Sequence, residues 1–368
     1  MKNSFNFSDN TISEREIMFA LPSIIIGVTI LSLPNQLAKV TSASDGWIAI
    51  IIGGVIIAFF TWLGAKLAAC FPNQNFTAYA SSLVSRPIAY LFSLFFIITA
   101  IAISAFVVRS FSDILKGYIF DQTPTEVLAL ALILIVVYAV SGSRAGIFRL
   151  NVMFLPIIIA VVIITILFNI HWIEANNFLP LFQTNMKGYI DAIGYSLSSY
   201  IGFAIVLFYV LIVNKPKKVP KASVYGIAIP TILYLLIYFV VIGVFGNYTT
   251  SNLLHPTIGL AKRMEVPGGM LERIESVFFV VWTMAIFNTI AIALDVAVLL
   301  MKSIFKRVKK QNILYLLAPI TYYLSMLPQN YTQVEKSATY ISWITIPFTL
   351  FIISLLFIIA WIKGAFSK

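Results

Sequence analysis

Gly27-Val28-Thr29-Ile30-Leu31-Ser32-Leu33-Pro34 and Gly194-Tyr195-Ser196-Leu197-Ser198-Ser199-Tyr200-Ile201-Gly202 are the two stretches on which the architecture turns. Each interrupts an otherwise apolar run with glycine and hydroxyl groups, and the first adds a proline, which removes a helical hydrogen bond. Small and hydroxylated residues also let membrane helices pack closely with no ligand involved. What separates these stretches from ordinary packing residues is their matched position, which requires the rest of the chain to be placed.

The chain has 368 residues, 60% hydrophobic and 11% charged, and a mean hydropathy of +0.95. A soluble domain carries roughly 45–50% apolar and about 25% charged residues, so the composition is that of an integral membrane protein. Apolar runs long enough for a bilayer core of about 30 Å are predicted over Ile17–Leu37, Trp47–Ala69, Ile88–Val108, Glu126–Val140, Val152–Ile170, Tyr189–Val213, Val224–Phe245, Ile274–Met301, Ile313–Leu327 and Thr339–Ile362. The fourth and ninth are short for a span. One membrane domain therefore covers residues 1–368, with no room for a separate soluble domain.

The net charge of +11 marks cytoplasmic loops in such a protein and gives no reason to expect nucleic acid. With both termini cytoplasmic, the densest basic clusters, Lys215–Lys221 and Lys302–Lys310, fall on the inner side. Trp47, Trp172 and Trp343 then sit near outer ends and Trp361 near an inner one, as interfacial anchors do. Residues 1–15, with Asp9 and Glu14, lack the basic start and cleavage site of a signal peptide. Cys70 is alone, and with only His171 and His255 a Cys/His metal site is excluded; no cofactor is expected. No Gly-rich phosphate cradle, catalytic carboxylate pair or Ser/His/Asp grouping is present, and Pro267-Gly268-Gly269 reads as a loop before the eighth span, so no enzyme is expected.

The two interrupted runs are the first and sixth of ten. This arrangement predicts an all-α 5+5 inverted-repeat transporter fold, with repeats of about 12–170 and 187–363, whose broken helices 1 and 6 meet at a midplane site. A break frees N–H groups at a half-helix N-terminus for a carboxylate, and freed carbonyls suit an ammonium. A zwitterionic amino acid fits both. The expected lining is Gly27, Thr29 and Ile30 from the first span and Ser196, Ser198, Ser199, Tyr200 and Gly202 from the sixth. The eighth would add a wall of Trp282, Thr283, Phe287 and Asn288, as ordinary core residues also would.

At these residues the chain resembles the amino acid–polyamine–organocation superfamily, with its LeuT-like fold and Gly-x-Gly-Ile-x-x-x-Pro motif; Thr29 stands here for the second glycine. More closely it resembles the spore germination permease family, the B subunits of GerA-type germinant receptors. The cues are Ile12-Ser13-Glu14-Arg15-Glu16, Ile30-Leu31-Ser32-Leu33-Pro34, and Ser141-Gly142 with Arg144. The resemblance implies a multipass protein of the inner spore membrane that binds a small nutrient, commonly an amino acid, together with A and C subunits. It also implies an apolar contribution from Ala102, Ile103 and Phe106 in the third span. An amino-acid permease and a purely structural subunit are the alternatives.

Ionisable groups inside a membrane are costly and so are functional candidates. Asp295, seven residues from Asn288 on the same helix face, is a candidate for gating or coupling, or else pairs with Lys302 or an arginine at the inner surface. Glu275 reads as solvated near the outer edge, and Lys66 and Arg109 as snorkelling to the interfaces. The fifth span has no ionisable residue for proton coupling, while Thr29, Thr283 and Thr289 leave sodium open, so neither driver is favoured. The basic clusters could also meet anionic membrane lipid or partner subunits.

Overall fold

The structure is a computed structural model that describes residues 11–264 and 274–366, without the side chains of Ile274 and Glu275. Asp9, the Pro267-Gly268-Gly269 turn and the Glu275 carboxyl group lie outside the described residues.

Helix α1 (Glu14–Ile26) starts from a capping box: Ser13 Oγ accepts the Glu16 N–H, and the Glu16 carboxylate accepts the Ser13 N–H at 2.6 Å. This reciprocal pair satisfies two otherwise free donors at the helix start. The helix stops at Gly27, whose φ of −9° and ψ of −117° are not helical, and α2 (Thr29–Ala38) leaves at a bend of 54°. The break therefore falls at Gly27-Val28 and not at Pro34, which lies inside α2. Proline at 34 frees the carbonyl four residues earlier, and the Thr257 hydroxyl donates to that Ile30 oxygen at 2.8 Å.

Next come α3 (Gly46–Ala69), the short α4 (Phe76–Leu83), α5 (Arg86–Tyr118), α6 (Thr125–Ser141) and α7 (Arg144–Asn169). Helix α8 (Met186–Ser198) ends in Ser199-Tyr200-Ile201-Gly202, with Gly202 at φ +104°. A helical stretch, Phe203–Ile212, containing α9 (Val206–Tyr209), follows at a bend of 44°. Then come α10 (Val219–Asn252), α11 (Pro256–Lys262), α12 (Ile274–Ile304), α13 (Lys310–Met326) and α14 (Tyr331–Ile362).

Among the described residues, the elements in the places of the ten expected spans are α1 with α2, α3, α5, α6, α7, α8 with the α9 stretch, α10, α12, α13 and α14. Six are long apolar helices and two are the bent pairs. At 17 residues each, α6 and α13 reach about 26 Å, slightly under the hydrocarbon thickness.

Both described chain ends lie at one end of the bundle, here the proximal end. Ile12 bonds through its backbone to Ile212 and Asn214, and Lys363 Nζ donates to the Ser82 and Leu83 carbonyls. At the distal end the Asn35 carboxamide donates to the Thr250 and Ser251 carbonyls, which ties α2 to the end of α10.

Helix α12 is the most enclosed of the long apolar helices, and α7 and α14 are among the least enclosed. Trp282 is accordingly a core residue stacked on Phe278 with ring centroids 5.3 Å apart. Arg109 does not snorkel. It is buried and bonded to Asp113 one turn along α5, at 2.9 Å. Lys66 instead lies over the Trp62 ring, 4.8 Å from its centroid.

Candidate ligand site at the helix breaks

The two breaks meet, and a side chain from a third traverse joins them. Tyr234 of α10 places its hydroxyl 2.9 Å from the Ile25 carbonyl oxygen at the end of α1 and 3.0 Å from that of Ser199 after α8. Thr29 Oγ1 lies 2.8 Å from the same phenolic oxygen, 2.8 Å from the Ile25 oxygen and 3.3 Å from the Ser199 oxygen. Two hydroxyl hydrogens thus serve four oxygens, a cluster with acceptor capacity to spare. The N-terminus of α2 has no side-chain cap, and the helix dipole gives the same break a partially positive edge.

Glycine is required where the halves approach each other. A Cβ at Gly27 would sit 2.8 Å from Thr289 Oγ1, which itself reaches the Ile24 carbonyl at 3.1 Å and so holds α12 against the end of α1. A Cβ at Gly202 would sit 2.6 Å from Ile24 Cγ2, and its positive φ is one that side chains rarely adopt. Gly194, by contrast, stays inside α8 with open space around it.

A cavity of about 80 Å³ lies against this junction. Of the expected residues, Thr29, Ile103, Phe106, Ser198 and Ser199 line it, along with Ile24, Ile25 and Ile201. Gly27 and Ile30 are not in its lining, and Ile30 is buried with its carbonyl committed to Thr257. Ser196 faces Gly53 of α3. Tyr200 is buried, bonds Thr231 at 2.9 Å and packs edge-on against Tyr234. Gly202 lines an adjoining apolar cavity of about 60 Å³ on its other side.

The eighth-span wall is not among the lining residues of the 80 Å³ cavity. The Thr283 hydroxyl bonds back to Phe279 O, Phe287 lies near Phe154, and Asn288 is fully buried; the next residue, Thr289, takes the place expected of them. Asp295 lies apart at the proximal end. Its Oδ2 accepts from Arg144 Nε at 2.9 Å and from the Tyr209 hydroxyl at 2.8 Å, and Lys310 Nζ is 4.0 Å from Oδ1. Lys302 is not its partner, because it caps the Lys306 and Val308 carbonyls.

The reading of the sequence missed Tyr234, Tyr195 and the contribution of α14, where Thr339 and Ser342 line the cavity. A signal for α14 exists: Thr339, Ser342, Thr345 and Thr349 recur at helical spacing within an apolar run.

The family model for the spore germination protein matches residues 11–334. The chain is 39% identical over 342 residues to spore germination protein GerLB of Bacillus cereus, covering 92% of this chain and 91% of that one. It is 25% identical to spore germination protein A2 of Bacillus subtilis (strain 168), over 91% and 92% of the two chains. Among solved structures it is similar to MhsT in complex with L-phenylalanine, with a TM-score of 0.73 at 14% identity, over 94% of this chain and 89% of that one. That likeness fixes the fold as the LeuT-like one read from the two broken spans. The matches over nearly the whole length settle the family: the chain belongs to the spore germination proteins, and its apolar helices make it a multipass membrane protein.

Proposed function

We propose that the chain is the germinant-sensing membrane subunit of a spore germination receptor and that it holds a small amino acid between the broken spans. The observation that carries the proposal is the acceptor-rich cluster of Ile25 O, Ser199 O, Thr29 Oγ1 and Tyr234 OH beside the uncapped start of α2. An ammonium supplies the donors that the cluster lacks, and a carboxylate meets the positive end of α2. Ile24, Ile25, Ile103, Phe106 and Ile201 receive the side chain. Ligand bound there changes the balance of two states only by its differential affinity for them, and A and C subunits read the change. In this reading the proximal end faces the cytoplasm and the membrane is the inner spore membrane.

Transport is the second reading, favoured by the likeness to MhsT. Counterflow of labelled amino acids in proteoliposomes, with equilibrium binding in the same preparation, separates the two. Saturable binding without counterflow is the expected result; counterflow makes the chain a permease, and absence of binding removes the site.

A further inference from the structure

The segment Lys302–Lys310 carries five cations within nine residues and no acid, and the site at the breaks draws on none of them. Its backbone is fixed from within. The Lys302 ammonium donates to the Lys306 and Val308 carbonyls at 2.8 and 2.7 Å, and the Val308 N–H closes a turn on the Phe305 carbonyl at 3.1 Å. Lys302 is thus committed inside the loop, while Lys306 and Arg307 stand at the tip of the turn with Lys309 just beyond it. Phe305 and Val308, at the two ends of that turn, are 51% and 38% exposed. Among the described residues the Lys306, Arg307 and Lys309 side chains have no carboxylate partner.

The other basic cluster, Lys215–Lys221, is built differently. Lys218 lies 3.8 Å from the Glu14 carboxylate, Lys221 lies over the Tyr225 ring, Val219 is buried, and Pro216 and Pro220 are half-buried. No exposed apolar side chain separates its cations. Of the two clusters, only the loop after α12 interleaves exposed aromatic and aliphatic groups with charge that no carboxylate meets. That is the pattern of a segment that seats apolar side chains among acyl chains and cations among phosphates.

The depth of the loop follows from the two short spans. Helix α13 begins at Lys310 and α6 ends at Ser141, and Lys310 Nζ donates to the Gly142 carbonyl at 2.7 Å, so their proximal ends lie together. Each helix reaches about 26 Å, less than a hydrocarbon core of about 30 Å. Tyr138 of α6 and Tyr315 of α13, both exposed near these ends, are placed as interfacial aromatic anchors. A bilayer meets short spans by thinning locally. The proximal headgroups therefore come down onto the loop at this flank, and the cations at its tip stand at the level of their phosphates.

We propose that the loop between α12 and α13 is a docking site for anionic lipid headgroups of the leaflet at the proximal end. Phe305 and Val308 sit among the acyl chains, and Lys306, Arg307 and Lys309 meet the phosphates. Lys310 ties the loop to α6 and lies 4.0 Å from Asp295 Oδ1, so lipid held there steadies the flank beside the Arg144–Asp295 pair. The proposal does not rest on what the breaks hold.

The test uses the full chain in lipid vesicles, with Gln311→Cys, an exposed position beside the loop, carrying an NBD fluorophore in a Cys70→Ser background. Lipids with a nitroxide on the same acyl carbon are added at equal mole fraction, with either phosphatidylglycerol or phosphatidylcholine headgroups. The phosphatidylglycerol form is expected to quench more strongly, by about twofold or more. Combined Lys306→Gln, Arg307→Gln and Lys309→Gln should remove the difference between the two lipids. Combined Lys215→Gln, Lys217→Gln and Lys221→Gln should leave it unchanged, and Phe305→Ser should lower quenching by both lipids. Thermal unfolding checks that the variants remain folded. Equal quenching by the two lipids in the parent chain, the result expected if this face is kept for another protein, overturns the proposal. So does a preference that survives the three substitutions in the loop.

Discussion

Tyr234 has one hydroxyl hydrogen and three oxygens within 3.0 Å of its own. Removing that hydroxyl leaves the Ile25 and Ser199 carbonyls to share the Thr29 proton, and a buried acceptor left unserved costs about 1–3 kcal/mol. Tyr234→Phe is expected to lower thermal stability by about that amount and to weaken amino-acid binding. Tyr200→Phe should do less, because the Thr231 hydroxyl that it abandons already bonds to the Ile227 carbonyl. Equal losses in the two variants would mean that the cluster has no special role. The glycines give a second comparison. Gly202→Ala must place a methyl group at φ +104° against Ile24, a conformation that costs about 1–3 kcal/mol. Gly194→Ala, with open space around it in α8, is expected to be neutral or to stabilise by about 0.5–1 kcal/mol. Thermal melts of the two variants decide this. Both glycines stand out equally in the sequence, and only the backbone separates the one that breaks the helix from the one that continues it.

At the scale of elements, the turn after the first broken span holds the segment that enters the sixth, and the Asp45 side chain makes four of the bonds. Asp45, in the turn between α2 and α3, accepts from the Phe182 N–H at 2.7 Å, the Thr184 N–H at 3.0 Å, the Thr184 hydroxyl at 2.8 Å and the Tyr189 hydroxyl at 3.1 Å. These groups lead into α8. Ala43 and Phe182 flank the clasp at φ 45° and 58°, left-handed backbone in residues other than glycine. Burial alone would raise the Asp45 carboxyl, but the hydrogen bonds outweigh it and hold the group below its ordinary value of 3.8. The stabilisation is then fully present above the unfolded carboxylate pKa and is lost as pH falls through the lower folded one. Unfolding temperature should fall below about pH 4, more steeply in the parent than in Asp45→Asn, which should already be less stable at neutral pH. Identical pH profiles would remove Asp45 as the cause. Nothing in the local sequence announces this clasp, since its donors lie more than 130 residues away. The breaks themselves were legible as composition, yet Pro34 looked like the interruption because Thr257, which serves the carbonyl it frees, comes from a distant helix.

For the whole molecule, the six long apolar helices and the two bent spans were legible because apolar length and irregular residues register in composition. Which side chains meet was not, because Tyr234 is one of three tyrosines in the run Val224–Phe245 and nothing local singles it out. The proximal end shows the same limit: Asp295 was identifiable as costly, but its partners Arg144, Tyr209 and Lys310 come from three other traverses. Tyr209 belongs to the proximal half of the broken sixth span, so this junction connects the break to the proximal end of the bundle. Removing the carboxylate outright leaves Arg144 without its buried partner, at a cost of about 3–5 kcal/mol, so Asp295→Ala is expected to unfold early. Tyr209→Phe is the gentler probe, since it keeps the ion pair and releases only the sixth span. If the junction holds the proximal end shut, this variant moves the balance toward a state open there and lowers apparent ligand affinity by the fraction of competent molecules lost. Its readout is the reaction rate of an Ala293→Cys variant, in a Cys70→Ser background, beside the apolar cavity at Gly202. Labelling from the proximal side should be faster with Tyr209→Phe than without it, while the melting temperature changes little. Unchanged labelling would leave Asp295 as an ion pair that fastens helices and has no part in gating.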